Sequence, residues 1–223
     1  MKRTRIKICG IKTIEAALAA ADAGADAIGL VFVEKSARCV DMDTAAAIIQ
    51  ALPAFVEPIA LFADASLEHI KEVTRQLHIG SIQMHGSETP QQVAAAQPLR
   101  VIKALPFNVQ LDPDTLHHWR SQVANVSAVL VDSPPPADAQ VTGGHGESFD
   151  WNAMAKSTSK QRTAGLAPII LAGGLTPSNI AQAIRTVEPY AVDVSSGVES
   201  GRGIKDLTKI KDFCDAVRKA DTG

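Results

Sequence analysis

Two glycine-rich segments near the C-terminus have the plainest chemical use in this sequence: Pro168-Ile-Ile-Leu-Ala-Gly-Gly174 and Ala191-Val-Asp-Val-Ser-Ser-Gly197. Each is an apolar run that reads as a buried strand, and each stops at small residues whose backbone amides a ligand can approach closely. Amides so exposed suit a phosphate group, which makes Gly173, Gly174, Ser195, Ser196 and Gly197 a candidate phosphate cradle and a phosphorylated small molecule the expected partner. Other polar side chains sit at or just after the ends of apolar runs: Cys9, Lys35 and Arg38, Asp64, His85, Lys103 and Asp132.

Four of these carry a chemical reading beside a plainer one. Cys9, in Lys7-Ile8-Cys9-Gly10, is a thiol near lysines that could have a lowered pKa and serve as base or nucleophile, or is a buried structural cysteine. Asp132 closes the run Ala128-Val-Leu-Val131; shielded there from water it could hold a proton and act as a general acid, or it caps the proline-rich loop that follows. Arg38 suits a substrate carboxylate, or is a surface arginine. His85, in Gln83-Met84-His85-Gly86, shuttles protons or orients a loop.

The elements that must bring these residues together alternate along the whole chain. Eight β-rich runs are readable: Arg5–Ile11, Ala27–Phe32, Pro58–Phe62, Ser81–His85, Arg100–Ala104, Ala128–Asp132, Pro168–Ala172 and Ala191–Ser195. Helix punctuation lies between them. Thr13 is a cap with Glu15 in the first turn and Gly24 as a left-handed stop. Ser66 precedes a Leu67, Ile70, Val73, Leu77 stripe, and Thr89-Pro90-Gln91-Gln92 reads as a capping box with proline at the first helical position. Thr176-Pro177 is expected to open a helix that buries Ile180, Ala183, Ile184 and Val187. Eight βα units imply a parallel sheet with right-handed crossovers, which favours closure into a (β/α)8 barrel over an open doubly wound sheet, an α/β fold spanning residues 1–223 as a single domain. In such a barrel the C-terminal strand ends line the site, so the polar residues named above would converge there.

Composition narrows the function classes. The 223 residues are 46% hydrophobic with a formal net charge of −2, which disfavours nucleic-acid binding through bulk charge. The uncharged stretch Thr163–Ile184 is broken by Gly165, Pro168, Gly173, Gly174 and Pro177, so no membrane span is expected. Lys7 interrupts the apolar start, and no export signal is read there. Three cysteines at no metal spacing fit a reducing cytoplasm. His117 and His118 point to different sides of a helix, and no nucleotide-binding glycine motif follows the first strand, so neither metal nor cofactor is expected.

Read in order, Lys7-Ile-Cys-Gly-Ile-Lys12, Gly24-Ala-Asp-Ala-Ile-Gly-Leu-Val-Phe32, Lys35-Ser-Ala-Arg38, Gln83-Met-His-Gly86, Val131-Asp132-Ser133, Phe149-Asp-Trp151, Leu171-Ala-Gly-Gly-Leu175 and Val192-Asp-Val-Ser-Ser-Gly-Val-Glu199 resemble the phosphoribosylanthranilate isomerase family of tryptophan biosynthesis. The resemblance covers nearly the whole chain. It implies a (β/α)8 barrel that catalyses, without a cofactor, the Amadori rearrangement of N-(5-phosphoribosyl)anthranilate to 1-(2-carboxyphenylamino)-1-deoxyribulose 5-phosphate. It further implies Cys9 as general base, Asp132 as general acid, Arg38 near the anthranilate carboxylate, the glycine-rich loops on the phosphate, His85 in the site wall and a monomer as the expected state. Two departures stand out: Ala37 replaces the family's proline, which should loosen the Arg38 loop, and Gly143-Gly144-His145-Gly146-Glu147 replaces a glycine-rich segment with a basic residue. Another phosphosugar isomerase and a non-catalytic phosphate-binding barrel are the rival readings.

Overall fold

The computed structural model describes residues 3–107, 113–134, 150–159 and 166–222. The departure at His145 and Glu147 lies outside them. Eight parallel strands close into a barrel in chain order: β1 (Arg5–Cys9), β2 (Ala27–Val31), β3 (Glu57–Phe62), β4 (Ser81–Met84), β5 (Arg100–Pro106), β6 (Val126–Asp132), β7 (Ile169–Leu171) and β8 (Ala191–Val194). Closure is made by β8 on β1, with Ile6 paired to Val192 and Lys7 to Asp193. Each of the eight runs read from the sequence contains one of these strands or overlaps it closely.

Around the barrel run α1 (Ile14–Asp22), α2 (Met42–Ala51), α3 (Leu67–Gln76), α4 (Pro90–Ala95), α5 (Pro113–Ser121), α6 (Trp151–Ser159), α7 (Ile180–Val187) and α8 (Leu207–Thr222). Their starts follow the caps expected. The Thr13 side chain accepts from the Ala16 amide, Ser66 from His69, and Thr89 and Gln92 form a reciprocal capping box behind Pro90. Helix α7 buries the four residues anticipated but begins three residues later than its Thr176-Pro177 signal. There the Asn179 side chain accepts from the Thr176 amide and donates to the Gly174 carbonyl, so Thr176–Asn179 is spent as a turn that shapes the loop after β7. None of the described helices is long and apolar enough to cross a membrane.

Strand alternation divides the apolar residues into two sets. One face, with Ile6, Ile8, Ile28, Leu30, Phe62, Ile82, Met84, Val129 and Val192, packs against the helices in the main core. The other points inside the barrel, where Ala27, Ile59, Ile102, Ala104, Ala128, Leu130, Ile170, Ala172 and Ala191 form a separate cluster. Full burial of a large aliphatic side chain contributes roughly 1.5–3 kcal/mol, so the outer set is what holds strands to helices. A small hairpin of β9 (Glu199–Gly201) and β10 (Ile204–Lys205) follows a 3-10 turn at Ser196–Val198. It was not anticipated from the sequence.

Candidate active site

Parity places a polar group where the barrel interior would otherwise be apolar. Lys7 shares its pairing level with Ala27 on one side and Asp193 on the other, so all three point inward; Cys9, two residues on, sits opposite Gly29 at the upper end. Lys7 is 3% exposed, and its Nζ donates to Asp193 Oδ1 at 2.9 Å. A Cβ on residue 29 would lie 2.7 Å from Cys9 Sγ and 3.2 Å from Lys7 Nζ, so glycine there leaves the space that the thiol and ammonium share.

Burial dominates the electrostatics of this group. It pushes the Cys9 thiol above its ordinary value, against the pull of Lys7 and Lys205 and with the help of Asp193. The expectation of a lowered thiol pKa is therefore reversed: the lysines are close, but desolvation of the thiolate outweighs them. Lys7 itself is drawn down by burial, yet Asp193 and Cys9 together raise it, so the ammonium stays charged.

Across the mouth, β6 ends in Asp132. Its Oδ1 accepts from the Ser133 amide at 2.8 Å, and its Oδ2 lies 3.3 Å from His85 Nε2. The other ring nitrogen of His85, Nδ1, is 2.9 Å from Gln83 Nε2. Gly173, at φ +85°, passes directly beneath; a Cβ there would collide with Ser133 Oγ and come within 3.1 Å of Asp132 Oδ1.

The β7 and β8 loops meet beside these residues. A Cβ on Gly197 would run into the Leu175 carbonyl, so the loops touch backbone to backbone. The amides of Gly174, Leu175 and Ser196 make no hydrogen bond to another described residue, which leaves them available to an anion. Ser195 Oγ donates to the Cys9 carbonyl at 3.0 Å, tying the cradle to the strand that carries the thiol.

Arg38 is engaged, not free. Its Nε and Nη2 donate to Glu199 Oε1 and Oε2 at 2.7 and 2.9 Å, and Lys205 Nζ donates to Glu199 Oε1 at 2.9 Å. A guanidinium has five N–H donors, so this bidentate bond orients the group and leaves others for a ligand. Glu199 and Lys205 were missed as site residues; the only signal was the Glu that ends the Val192–Glu199 segment. The loop expected to be loosened by Ala37 is braced instead, because Lys12 Nζ donates to the Ala37 carbonyl at 3.0 Å and the Gly203 backbone packs on it.

Cys9, Ser36, Arg38, His85, Asp132, Gly173, Gly174, Ser195, Ser196 and Arg202 all line one cleft of about 940 Å³, counted with its open mouth. Gly197 lies behind it as the loop contact. Lys35, Asp64 and Lys103 do not line the cleft, which corrects the strand-end list. Lys103 alternates with the inward Ile102 and Ala104, so it faces outward, where its Nζ donates to Glu88 Oε2 at 2.6 Å and to the Gly86 carbonyl at 2.7 Å. Asp64 accepts from the Ser87 amide. These residues brace the β3 and β4 loops under His85.

Glu88 and Glu199 contribute to the acid sensitivity of this scaffold. Burial works against their ionisation, but Lys103 in one case and Arg38 with Lys205 in the other hold both carboxyls below the usual glutamate range. A depressed folded-state pKa stabilises the fold above the unfolded glutamate value of about 4.3, and that stabilisation is lost as pH falls through and below it. The melting temperature is thus expected to drop between about pH 5 and 3, with a smaller drop in Glu199→Gln; equal drops in both proteins would contradict this assignment.

The chain matches, over residues 6–216, the family described as N-(5'phosphoribosyl)anthranilate (PRA) isomerase. A Pseudomonas fluorescens protein named N-(5'-phosphoribosyl)anthranilate isomerase is 46% identical over 220 residues, 99% of this chain and 98% of the relative. The solved phosphoribosyl anthranilate isomerase of Thermus thermophilus superimposes with a TM-score of 0.84 at 30% identity, covering 97% of this chain and 99% of that one. Another, solved in complex with reduced 1-(o-carboxyphenylamino)-1-deoxyribulose 5-phosphate, gives 0.81 at 33% identity with the same coverage. A further structure is described as monomers made from the dimeric Thermotoga maritima isomerase, with a TM-score of 0.80 at 32% identity, covering 97% and 99%.

Proposed function

This chain belongs to the phosphoribosylanthranilate isomerase family, and from that membership we propose that it isomerises N-(5-phosphoribosyl)anthranilate to 1-(2-carboxyphenylamino)-1-deoxyribulose 5-phosphate, with Cys9 as general base and Asp132 as general acid. The observation that carries the assignment of roles is that a thiol on β1 and a carboxylate on β6, three strands apart around the ring, face the same cleft. An aldose-to-ketose shift needs a proton given at one atom and taken at another, which two such groups can supply.

Asp132 gives its proton to the ribose ring oxygen; the C1–O bond breaks and a protonated imine forms between C1 and the anthranilate nitrogen. The Cys9 thiolate takes the C2 proton, and the C2–H electron pair becomes the C1–C2 double bond of an enolamine. Tautomerisation of that enol yields the 2-ketone, and exchange with solvent returns the proton to Asp132 and removes it from Cys9. Each step moves a proton to or from a side chain or solvent while electron pairs shift within the substrate, so atoms and charge balance without an oxidant. The free amides of Gly174, Leu175 and Ser196 take the phosphate, and the unspent N–H groups of Arg38 take the anthranilate carboxylate.

The reading implies a cytoplasmic enzyme acting on a phosphorylated small molecule. We take the monomer as its working unit, in contrast to the dimeric Thermotoga relative, and sedimentation of the purified chain checks that choice. The activity is tested by adding the protein to freshly generated phosphoribosylanthranilate and following loss of anthranilate fluorescence. Rapid loss is expected; an unchanged signal over the spontaneous background would remove the proposal.

A further inference from the structure

We propose that Gln83 is a positioning residue of this site: its buried side-chain amide meets His85 Nδ1 with either its donor or its acceptor end, and so couples the tautomer of His85 to the number of protons the His85–Asp132 pair holds. The activity readout rests on the isomerase reading above; the geometry does not. Gln83 lies on β4, paired with Leu61 and Ile102, whose side chains also face the barrel interior. It is 0% exposed. Its Nε2 is 2.9 Å from His85 Nδ1, His85 Nε2 is 3.3 Å from Asp132 Oδ2, and its own Oε1 has no hydrogen-bond partner.

An amide carries a donor end and an acceptor end, and the imidazole must answer whichever it meets. With the NH2 toward His85, Nδ1 has to accept, so a neutral ring carries its proton on Nε2 and donates it to an ionised Asp132. With the amide turned, Oε1 accepts from Nδ1–H, and Nε2 becomes an acceptor that can take a hydrogen bond from protonated Asp132. The first arrangement holds one proton in the pair and the second holds two. A general acid must pass between those two counts in every turnover, and a side chain that can face the ring with either end accommodates both. An aliphatic residue at the same place would bury no orphaned oxygen, whose desolvation is ordinarily costly, but could answer neither state.

The charged groups around the pair are Asp193 on β8, which interacts with both Asp132 and His85, Lys7 and Cys9 on β1, and Arg38 in the loop after β2. The flanking strands present Leu61 and Ala104. With the amide at Nδ1 and the Asp132 carboxylate at Nε2, the two ring nitrogens meet chemically different partners.

The test compares the intact protein with Gln83→Met and Gln83→Glu. Nitrogen-15 NMR of His85 reads the tautomer without any need for turnover, and kcat and KM are measured against pH. In Gln83→Met the two tautomers are expected to mix, with kcat falling about tenfold, KM little changed and the pH limb belonging to the His85–Asp132 pair displaced. In Gln83→Glu the introduced carboxylate can only accept, so it should hold the proton on Nδ1 and move the ring signals accordingly. Wild-type ring signals and an unshifted limb in either folded variant would overturn the proposal. Should Gln83→Met fail to fold, the glutamate variant decides by the same signals. A wild-type protein without isomerase activity would instead remove the functional reading while the tautomer comparison still stood.

Discussion

Cys9→Ala is expected to lower kcat by about 10³- to 10⁴-fold, the upper part of the range a positioned base supplies. That is about 4–5 kcal/mol of transition-state stabilisation. Affinity should survive, because the phosphate and carboxylate are held elsewhere: on the amides of the β7 and β8 loops and on Arg38. Fluorescence of the bound, unreacted substrate in the alanine variant reads that affinity directly. Folding should survive too, since Cys9 belongs to a small cluster with Val31 and Leu61 at the top of the barrel, outside the main core. A second signature follows from the thiol's environment. Only the thiolate can take the C2 proton, and burial raises the Cys9 pKa above its ordinary value despite Lys7 and Lys205. Below that pKa the thiolate fraction grows about tenfold per pH unit, so alkylation of Cys9 by iodoacetamide, which needs no proton from Asp132, should go on accelerating past the usual thiol range. An alanine variant within threefold of the parent, or an alkylation rate flat in pH where the thiol titrates, would end the case for Cys9.

The barrel was legible because its strands and caps are written locally. Runs such as Arg5–Ile11 and Ala191–Ser195 need only their own residues to be recognised, and Thr89-Pro90-Gln91-Gln92 carries a complete helix start within four positions. Strand direction was harder. A strand buried on both faces shows no polar–apolar alternation, so nothing in Val101-Ile-Lys-Ala104 tells which way Lys103 points. Only the register against β4 and β6 turns it outward, toward Glu88. The Arg38–Glu199 bond joins residues 161 apart, and no local pattern announces it. Arg38, read as either a carboxylate binder or a surface arginine, lines the cleft with Glu199 holding it, a partner its sequence neighbours do not reveal. Likewise Lys7 beside Cys9 was visible in the sequence, whereas Lys205 and the desolvation that overrides both lysines depend on the closed ring. Motif order carried the family; burial and pairing, which decide how each group behaves, required coordinates.

Asp132→Asn isolates the proton on the opposite side of the mouth, and a loss of about 10³-fold in kcat is expected. The substitution keeps the side-chain shape, and its amide oxygen can still accept from the Ser133 amide as Oδ1 does at 2.8 Å. Shape matters at this position, because Gly173 lies against the carboxylate and leaves no slack for a larger group. What asparagine lacks is a proton that can be passed to the ring oxygen. Ring opening must precede removal of the C2 proton, so Asp132→Asn should stall with the furanose closed, while Cys9→Ala should stall after opening. The double variant is then expected to be scarcely slower than the slower single one, far from the product of the two losses, because groups serving one reaction sequence are strongly non-additive. Trapping separates the two stalled states: borohydride should reduce a protonated imine held by Cys9→Ala and find little in Asp132→Asn. Equal trapping in both, or losses that simply multiply, would show that acid and base do not act in this order.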